Sequence, residues 1–228
     1  MFFRNRSTQA EYFDRPGRAE SEAAAEFREL DRLNRFFQPS LPFTMVLPRW
    51  LGAECCSQLE ILDVGAGTGS LGRELSQWAA RRGWDWRFTN LDTNEVALRL
   101  GSGPGAVSGN ALALPFANDS FDLVITSQMT HHLTDLEIIT HWREAGRVTR
   151  DGLFFCDLHR NVGLYAMLWL ATRLFGASRH LREDALISVK RGFRLEEWRS
   201  LAAQANLRNA RVWVFYGTRI VLQARKAA

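Results

Sequence analysis

The chain has 228 residues, of which 46% are hydrophobic, and this size and composition suit one α/β domain with an appended helical segment rather than two complete domains. Its 29 basic and 25 acidic residues give a net charge of +4; because the arginines are spread along the chain, we expect a solvated surface and no nucleic-acid partner. Three cysteines, two of them adjacent, form neither a disulfide framework nor a metal-ligand pattern, which fits a reducing cytoplasm.

The N-terminal region, residues 1–55, is predicted to form a helical cap segment. An amphipathic helix is indicated by apolar residues at spacings of three and four, namely Phe27, Leu30, Leu33 and Phe37. Pro39 and Pro42 interrupt this pattern. The first apolar residues are followed at once by Arg4 and Arg6, so the uninterrupted apolar core of a signal peptide is missing and we expect a cytoplasmic protein.

A short apolar strand at 59–64 leads directly into three alternating glycines, Gly65, Gly67 and Gly69. Glycine lets the backbone turn sharply and approach a ligand closely, and the helix that follows offers unpaired N–H groups. The pattern therefore predicts a site for a nucleotide-like cofactor. Residues 67–72 also satisfy G-x-G-x-x-G, so the motif alone leaves open a nicotinamide cofactor or S-adenosylmethionine.

Beyond the glycines, strands and helices alternate, which predicts a parallel sheet covered on both faces. In chain order, the predicted elements are a helix at 70–82, a strand at 84–91, a helix at 94–100, a loop at 101–105, a strand at 105–109, a strand at 121–126, a helix at 135–149 and a strand at 153–156. The end of the chain differs, because two β-rich runs at 211–215 and 219–223 are separated by a short turn. These runs predict an antiparallel hairpin.

Polar residues follow the predicted second and third strands. Asp92 lies some twenty residues beyond the glycines, where a carboxylate can accept hydrogen bonds from two ribose hydroxyls. A helix N-cap or a solvated loop acid is the alternative. Asn110 follows the strand at 105–109 and can offer its amide to an adenine edge, with a turn asparagine as the alternative.

Three stretches and one aspartate form a further pattern through their order along the chain. They are residues 61–69 (ILDVGAGTG), Asp92, residues 109–122 (GNALALPFANDSFD) and residues 131–133 (HHL). Together they resemble the class I S-adenosylmethionine-dependent methyltransferases, in particular the small-molecule branch of the quinone (ubiquinone and menaquinone) methylases. The resemblance implies an α/β, three-layer Rossmann-like fold whose seven-stranded, mostly parallel sheet has a reversed last strand. Residues 56–228 would then form the S-adenosylmethionine-binding domain, with a helical lid insertion at about 160–190.

The resemblance also implies where the cofactor binds, with the glycine loop against the methionine moiety, Asp92 on the ribose and Asn110 with Ala111 on the adenine. The full implied set is Asp63, Gly65, Ala66, Gly67, Gly69, Asp92, Thr93, Asn110, Ala111 and Ser127. The family often has aspartate at the position of Asn110, and asparagine donates as well as accepts hydrogen bonds. A nicotinamide enzyme is disfavoured, because its fingerprint would not explain the Leu-Pro-Phe and Asp-Ser-Phe-Asp stretches before the fourth strand.

Three histidines are candidates for handling the acceptor. Methyl transfer from a sulfonium is an in-line displacement whose leaving group needs no proton, so the protein must align the acceptor and, for a phenol, deprotonate it. His131 and His132 follow the fourth strand and His159 the fifth, and His132 is the preferred base. The alternative is that they cap or pack the next helix. His141 and His180 are expected to be packing or surface residues.

The segment 161–177 is rich in Leu, Met, Trp, Tyr and Phe and is predicted to form a lid helix over an apolar acceptor, with an ordinary core helix as the alternative. Its apolar run at 162–170 is far shorter than the ~20 residues that span a membrane, so we expect no stable membrane insertion. Tyr12 and Phe13, with the helix through residues 34–35, are expected to close the other side. The residues expected to bracket the acceptor are Tyr12, Trp169 and His132.

These observations predict O-methylation of a small, largely apolar, aromatic or polyketide-like acceptor in secondary metabolism, by a monomer or homodimer. C-methylation of a quinol or polyketide ring is one alternative, and a non-catalytic, cofactor-binding partner subunit is another. Adenine-N6 methylation is disfavoured because Thr126-Ser127-Gln128-Met129 stands where those enzymes carry Asn/Asp-Pro-Pro-Tyr. Catechol-type enzymes hold magnesium with oxygen ligands after the fourth and fifth strands. Because only Asp157 is suitably placed here, no metal is expected.

Overall fold

The computed structural model describes residues 3–14, 20–52, 56–101, 105–207 and 209–226. The predicted loop residues 102–104, Cys55 and the side chain of Arg35 lie outside this description. The strands are β1 (Gln58–Val64), β2 (Asp85–Asp92), β3 (Ala106–Ser108), β4 (Phe121–Ser127), β5 (Thr149–Leu158), β6 (Arg211–Phe215) and β7 (Arg219–Arg225). The helices are α1 (Glu20–Phe37), α2 (Leu41–Leu51), α3 (Ser70–Ala80), α4 (Glu95–Gly101), α5 (Asp135–Val148), α6 (Val162–Leu174), α7 (Arg179–Arg191) and α8 (Leu195–Gln204).

The seven strands form one sheet in the order β3-β2-β1-β4-β5-β7-β6. Strands β1 to β5 pair in parallel, whereas β7 lies antiparallel between β5 and β6. The predicted fold class is therefore confirmed, including the reversed last strand and the C-terminal hairpin. Because β1, β4 and β5 all end at the same edge of the sheet, the loops that follow them converge there.

Two apolar clusters cover the two faces of the sheet. One contains Phe155 of β5 with Trp142 of α5 and Trp198 of α8. The other contains the neighbouring Phe154 with Phe43 of α2. Successive strand residues point to opposite faces, so the continuous apolar run of β5 supplies both clusters, as expected for a buried parallel strand.

The N-terminal region differs from the helical prediction at its start. The described residues 3–14 contain neither helix nor strand, and we call this segment the N-terminal strap. Besides a few local hydrogen bonds, such as Asp14 N–H to Glu11 O at 3.2 Å, its polar groups bind to distant elements: Ser7 N–H donates to Lys190 O of α7 at 2.9 Å. The two helices that follow are separated near Pro39, and Pro42 lies in the first turn of α2, where a missing N–H carries no cost.

The predicted lid is built from two helices. The single helix predicted at 161–177 is α6, which begins after the N-cap Asn161, whose side chain accepts from Leu164 N–H at 2.8 Å. Helix α7 then returns to pack against α6. Within the described residues, no helix combines the length and the apolarity needed to cross a bilayer.

A cavity at the carboxyl ends of the strands

The turn from β1 into α3 depends on its glycines. Gly65, Gly67 and Gly69 all have positive φ, at 73°, 55° and 68°, a region that other residues rarely adopt. A Cβ on Gly65 would lie 2.3 Å from Cγ of Met129, whereas a Cβ on Gly67 would meet nothing within 4 Å. The backbone at Gly67 therefore faces open space, as a loop that lets a ligand approach closely must.

This open space is a cavity of about 760 Å³ at the carboxyl ends of the strands, within the size range of small-molecule sites. Of the ten residues implied for the cofactor, all except Gly69 line it. Gly69 instead serves as the N-cap of α3.

Two carboxyl groups, Asp63 and Asp92, lie beneath the glycine loop. Burial, followed by the charge of Asp92, raises the pKa of Asp63 to about 8, and Asp63 Oδ2 has no hydrogen-bond partner among the described residues. Asp92 accepts from Gly67 N–H at 2.7 Å and from Asn94 N–H at 2.8 Å, and its oxygens keep further lone pairs. The pair fits a cofactor that brings positive charge and hydroxyl donors.

The end of the cavity that was predicted to bind adenine is less specific. Asn110 Oδ1 accepts from Leu112 N–H at 2.9 Å, so this side chain makes the turn that was the alternative interpretation and also lines the cavity. Across the loop, Ser127 Oγ is buried without a hydrogen-bond partner. Both positions leave donors available to a ligand.

At the other end of the cavity, His131 lies in a short 3-10 turn after β4 and is fully enclosed. Its Nδ1 lies 2.7 Å from Asp157 Oδ1, and its Nε2 lies 3.5 Å from Glu11 Oε1. Burial alone would lower the pKa of His131, but the carboxylates of Asp157 and Glu11 outweigh burial and raise it to about 9. His131 is therefore protonated at neutral pH and holds the pKa of Asp157 below its usual value.

His132 occupies a different environment, with 31% of its side chain exposed. Its Nδ1 lies 2.9 Å from Asp14 Oδ1, and its Nε2 lies 4.0 Å from Glu11 Oε2. Although burial opposes it, hydrogen bonding and charge from His132 and Arg191 hold the pKa of Asp14 well below its usual value. Asp14 thus holds the ring by one nitrogen, the other lies on the side of Glu11, and His132 is among the residues that line the cavity.

The strap is what brings Glu11 and Asp14 to the histidines. Arg6 donates to Leu133 O at 2.9 Å and pairs with Asp135 at 2.6 Å. Asp184 of α7 accepts from the N–H groups of Tyr12 and Phe13 at 2.7 and 3.0 Å. Sequence reasoning missed Glu11 and Asp14, although these acids flank the aromatic pair that was expected to close the site.

Apolar side chains form the walls between the two ends. The residues that contribute them are Phe13 of the strap, Phe27, Leu30 and Leu33 of α1, Leu168 of α6 and Leu181 of α7. The cavity therefore joins a glycine loop, a histidine pair and an apolar chamber.

Several predicted site residues lie elsewhere. His159 is outside the cavity lining, and its Nδ1 lies 3.0 Å from Gly217 O in the β6–β7 turn. Tyr12 stacks on His180, and Trp169 faces outward beneath the Arg173 guanidinium. Of the three residues expected to bracket the acceptor, only His132 lines the cavity. His141 is a buried packing residue, as expected, and burial lowers its pKa to about 4.

One group among the described residues could hold a metal ion: Glu11, His131 and His132 offer ligand atoms within 4.8 Å of one another. The surrounding charges favour a salt-bridge network instead. Arg191 lies 2.7 Å from Asp14 and 3.8 Å from Glu11, and His131 is protonated at neutral pH. The carboxylates are thus already paired with cations.

Comparison with known proteins agrees with this geometry. Residues 62–156 match the family described as "Methyltransferase domain". A demethylmenaquinone methyltransferase from Roseiflexus castenholzii is 38% identical over 97 residues, which cover 40% of this chain and 38% of that protein. The match therefore spans well under half the length of this curated relative.

Two solved structures share the fold over most of the chain. A SAM-dependent methyltransferase from Aquifex aeolicus superposes with a TM-score of 0.60 at 14% identity, covering 90% of this chain and 98% of that one. An O-methyltransferase family 2 protein from Planctomyces limnophilus, in complex with apigenin, gives 0.59 at 21% identity, covering 94% and 63%.

Proposed function

We propose that this chain, which carries a class I S-adenosylmethionine-dependent methyltransferase domain resembling those of the quinone methylases, methylates a hydroxyl oxygen of a small, largely apolar acceptor. The observation that carries the proposal is a continuous cavity with the glycine loop at one end, His131 and His132 at the other and apolar walls between them. An aromatic or polyketide-like acceptor fits such walls. We further propose that the protein works in the cytoplasm as a monomer or homodimer, without nucleic acid.

S-adenosylmethionine supplies a methyl group on a sulfonium, which leaves a neutral thioether. The work left to the chain is to hold the acceptor in line and to remove its proton. Asp63, Asp92 and the glycine loop are the residues that would hold the cofactor, because they combine an unpartnered buried oxygen with an open backbone.

We assign the base to His132 instead of His131. The ring of His131 is already protonated at neutral pH, so it cannot accept a second proton, and its charge is paired with Asp157 and Glu11. The ring of His132 is held through Nδ1 by Asp14, an arrangement in which a carboxylate orients a histidine.

C-methylation of a quinol ring is the second candidate, and the name of the Roseiflexus relative favours it. The apigenin complex of the Planctomyces neighbour is what favours a phenolic acceptor. The two reactions use the same cavity and differ in the atom that receives the methyl group. A non-catalytic partner subunit would bind the cofactor and transfer nothing.

The test is to incubate the purified protein with S-adenosylmethionine carrying an isotopically labelled methyl group and a panel of apolar phenols and quinols. Labelled O-methyl product, identified by its NMR shift, supports the proposal. Label on ring carbon overturns the O-methylation assignment, and cofactor binding without transfer to any acceptor supports the partner-subunit alternative.

Addition of a chelator should leave the rate of methyl transfer unchanged. A loss of activity that a divalent metal restores would contradict the salt-bridge interpretation of Glu11, His131 and His132.

Two matched variants test the histidine assignment. His132→Ala should lower the rate by about a hundredfold or more, the range typical of a lost general base, while cofactor binding is retained. His159→Ala should keep most of the activity, because its ring lies outside the cavity. The reverse result would move the base to the end of β5.

A further inference from the structure

The outer face of α6 is apolar and exposed. The described residues expose nine large apolar side chains, and six of them lie within 162–175. These six, which we call the outer patch, are Val162, Met167, Trp169, Leu170, Leu174 and Phe175, with exposures from 38% to 74%. Tyr216, itself 69% exposed, lies beside the start of the helix, where Asn161 Nδ2 donates to Gly217 O at 2.8 Å.

The inner face of the same helix is apolar too. Leu164, Leu168 and Ala171 are buried beneath it, so α6 is hydrophobic around nearly its whole circumference. A helix of this kind ordinarily lies inside a protein or in lipid. An exposed apolar area concentrated on one element indicates a surface that something covers.

The helix that carries the outer patch has a single charged residue, Arg173, although an acid of α1 lies near its C-terminal end, where Glu29 accepts from Ser178 N–H at 2.6 Å. Residues 158–182 contain no aspartate or glutamate but four arginines, of which Arg160 is buried. Arg173 lies with its guanidinium 4.0 Å from the Trp169 ring centroid. Arg179 is exposed at the start of α7 and pairs with Glu183 at 2.8 Å. Aromatic rings and arginines beside an apolar face are typical of helices that lie in the headgroup region of a bilayer.

We propose that the outer patch docks this protein on the surface of an anionic membrane. A second copy of the chain fits less well, because a two-fold interface brings the same patch of both copies together, and Arg173 would then meet a helix with no acid of its own. Anionic headgroups supply the missing negative charge, and the acyl boundary covers the apolar side chains.

Docking would place the lid at the lipid boundary. Leu168 on the inner face of α6 lines the cavity, so one helix faces the acceptor chamber on one side and lipid on the other. If the proposed function holds, an acceptor that partitions into lipid could reach the cavity along this helix. The docking itself requires neither cofactor nor acceptor.

Co-sedimentation of the full chain with vesicles tests the proposal. We expect the protein to pellet with vesicles of phosphatidylcholine and phosphatidylglycerol, and much less with phosphatidylcholine alone. The double variant Leu170→Glu with Leu174→Glu should lower the bound fraction about tenfold, since both side chains are exposed and the fold does not need them. Leu136→Glu is the matched control: Leu136 on α5 is as exposed as Leu174 at 74%, and its variant should bind like the unmodified chain.

Three outcomes would overturn the proposal. The unmodified chain could stay in solution with anionic vesicles, the double variant could bind as well as the control, or the double variant could convert a dimer to a monomer while vesicle binding is absent throughout. The last result would assign the patch to a second copy. Calorimetry with S-adenosylmethionine should give the same affinity for all variants. Vesicle binding without any methyl transfer would leave the docking proposal standing and overturn only the proposed function.

Discussion

Adjacent histidines in this protein have opposite relations to solvent and charge. His131 is enclosed between two carboxylates, with its protonated form stabilised, whereas His132 is partly exposed, with Asp14 at 2.9 Å and Glu11 at 4.0 Å. A group whose proton is held firmly serves as a fixed charge, and a group that can exchange its proton serves as a base. The 3-10 turn after β4 thus places two imidazole rings in different chemical environments.

The pKa of His131 predicts how stability changes with pH. The folded pKa of about 9 lies above the ordinary histidine value of 6.5, so between these two pH values the folded state binds a proton that the unfolded chain has already lost. His131 therefore contributes stability that is fully present below about pH 6.5 and is lost as the pH rises to about 9. Burial and Asp92 raise the pKa of Asp63 from 3.8 to about 8. Its contribution to the stability of the fold is therefore also lost as the pH rises, between these two values.

A variant of Glu11 isolates the contribution of His131. In Glu11→Gln, one of the carboxylates that raises the pKa of His131 is gone, so the fall in unfolding free energy between about pH 6.5 and about pH 9 should shrink by about 1 kcal/mol. Urea unfolding at several pH values measures it. An unchanged slope would mean that Glu11 does not stabilise the protonated ring.

The N-terminal strap is held chiefly by residues far from it in sequence. Arg6 stacks on Phe193 at 4.2 Å and donates to the backbone of Arg191 at 3.1 Å. Arg160, buried after β5, donates to Phe3 O and Arg4 O at 3.1 and 3.3 Å. These contacts hold Glu11 and Asp14 in place, so the histidine end of the cavity depends on an element without regular structure.

Removing one attachment should loosen the strap selectively. In Arg6→Ala, the lost hydrogen bonds and ion pair should lower the free energy of unfolding by about 1–3 kcal/mol, increase amide exchange over residues 3–14 and reduce the methyl-transfer rate. Arg4→Ala is the control, since the Arg4 side chain is exposed and only its backbone oxygen is bound. Equal effects of the two variants would show that the strap is not held by Arg6.

The strap also shows where prediction from sequence ended. Local signals identified the glycine loop, the alternating strands and the reversed hairpin, because each depends on residues within a few positions of one another. Glu11 and His131 are 120 positions apart, and no local pattern records their contact. Helix α7 was not predicted as a separate element, because polar Asp184 and Arg191, which bind the strap, interrupt the apolar residues of its buried face.

At the scale of the whole molecule, the cofactor should stabilise the fold, because the cavity is lined by residues of β1, β2, β4, α1, α6 and α7. A ligand that binds only the folded state stabilises all of these contacts at once. At about 100 times its Kd, S-adenosylmethionine should add about 2.7 kcal/mol, which for a chain of this size raises Tm by roughly 5–10 °C. NAD at the same concentration should give no shift.

Asp63→Asn links this shift to a residue. Asp63 is buried and protonated at neutral pH in the free protein, since burial and Asp92 raise its pKa to about 8, so an amide of nearly the same shape should preserve the fold. It cannot ionise when the cofactor brings positive charge, and the thermal shift with S-adenosylmethionine should therefore fall by half or more. Asp151→Asn, at an exposed position of β5, should keep the full shift. A full shift in Asp63→Asn would remove Asp63 from the cofactor site, and a shift with NAD alone would contradict the assignment of the glycine loop to S-adenosylmethionine.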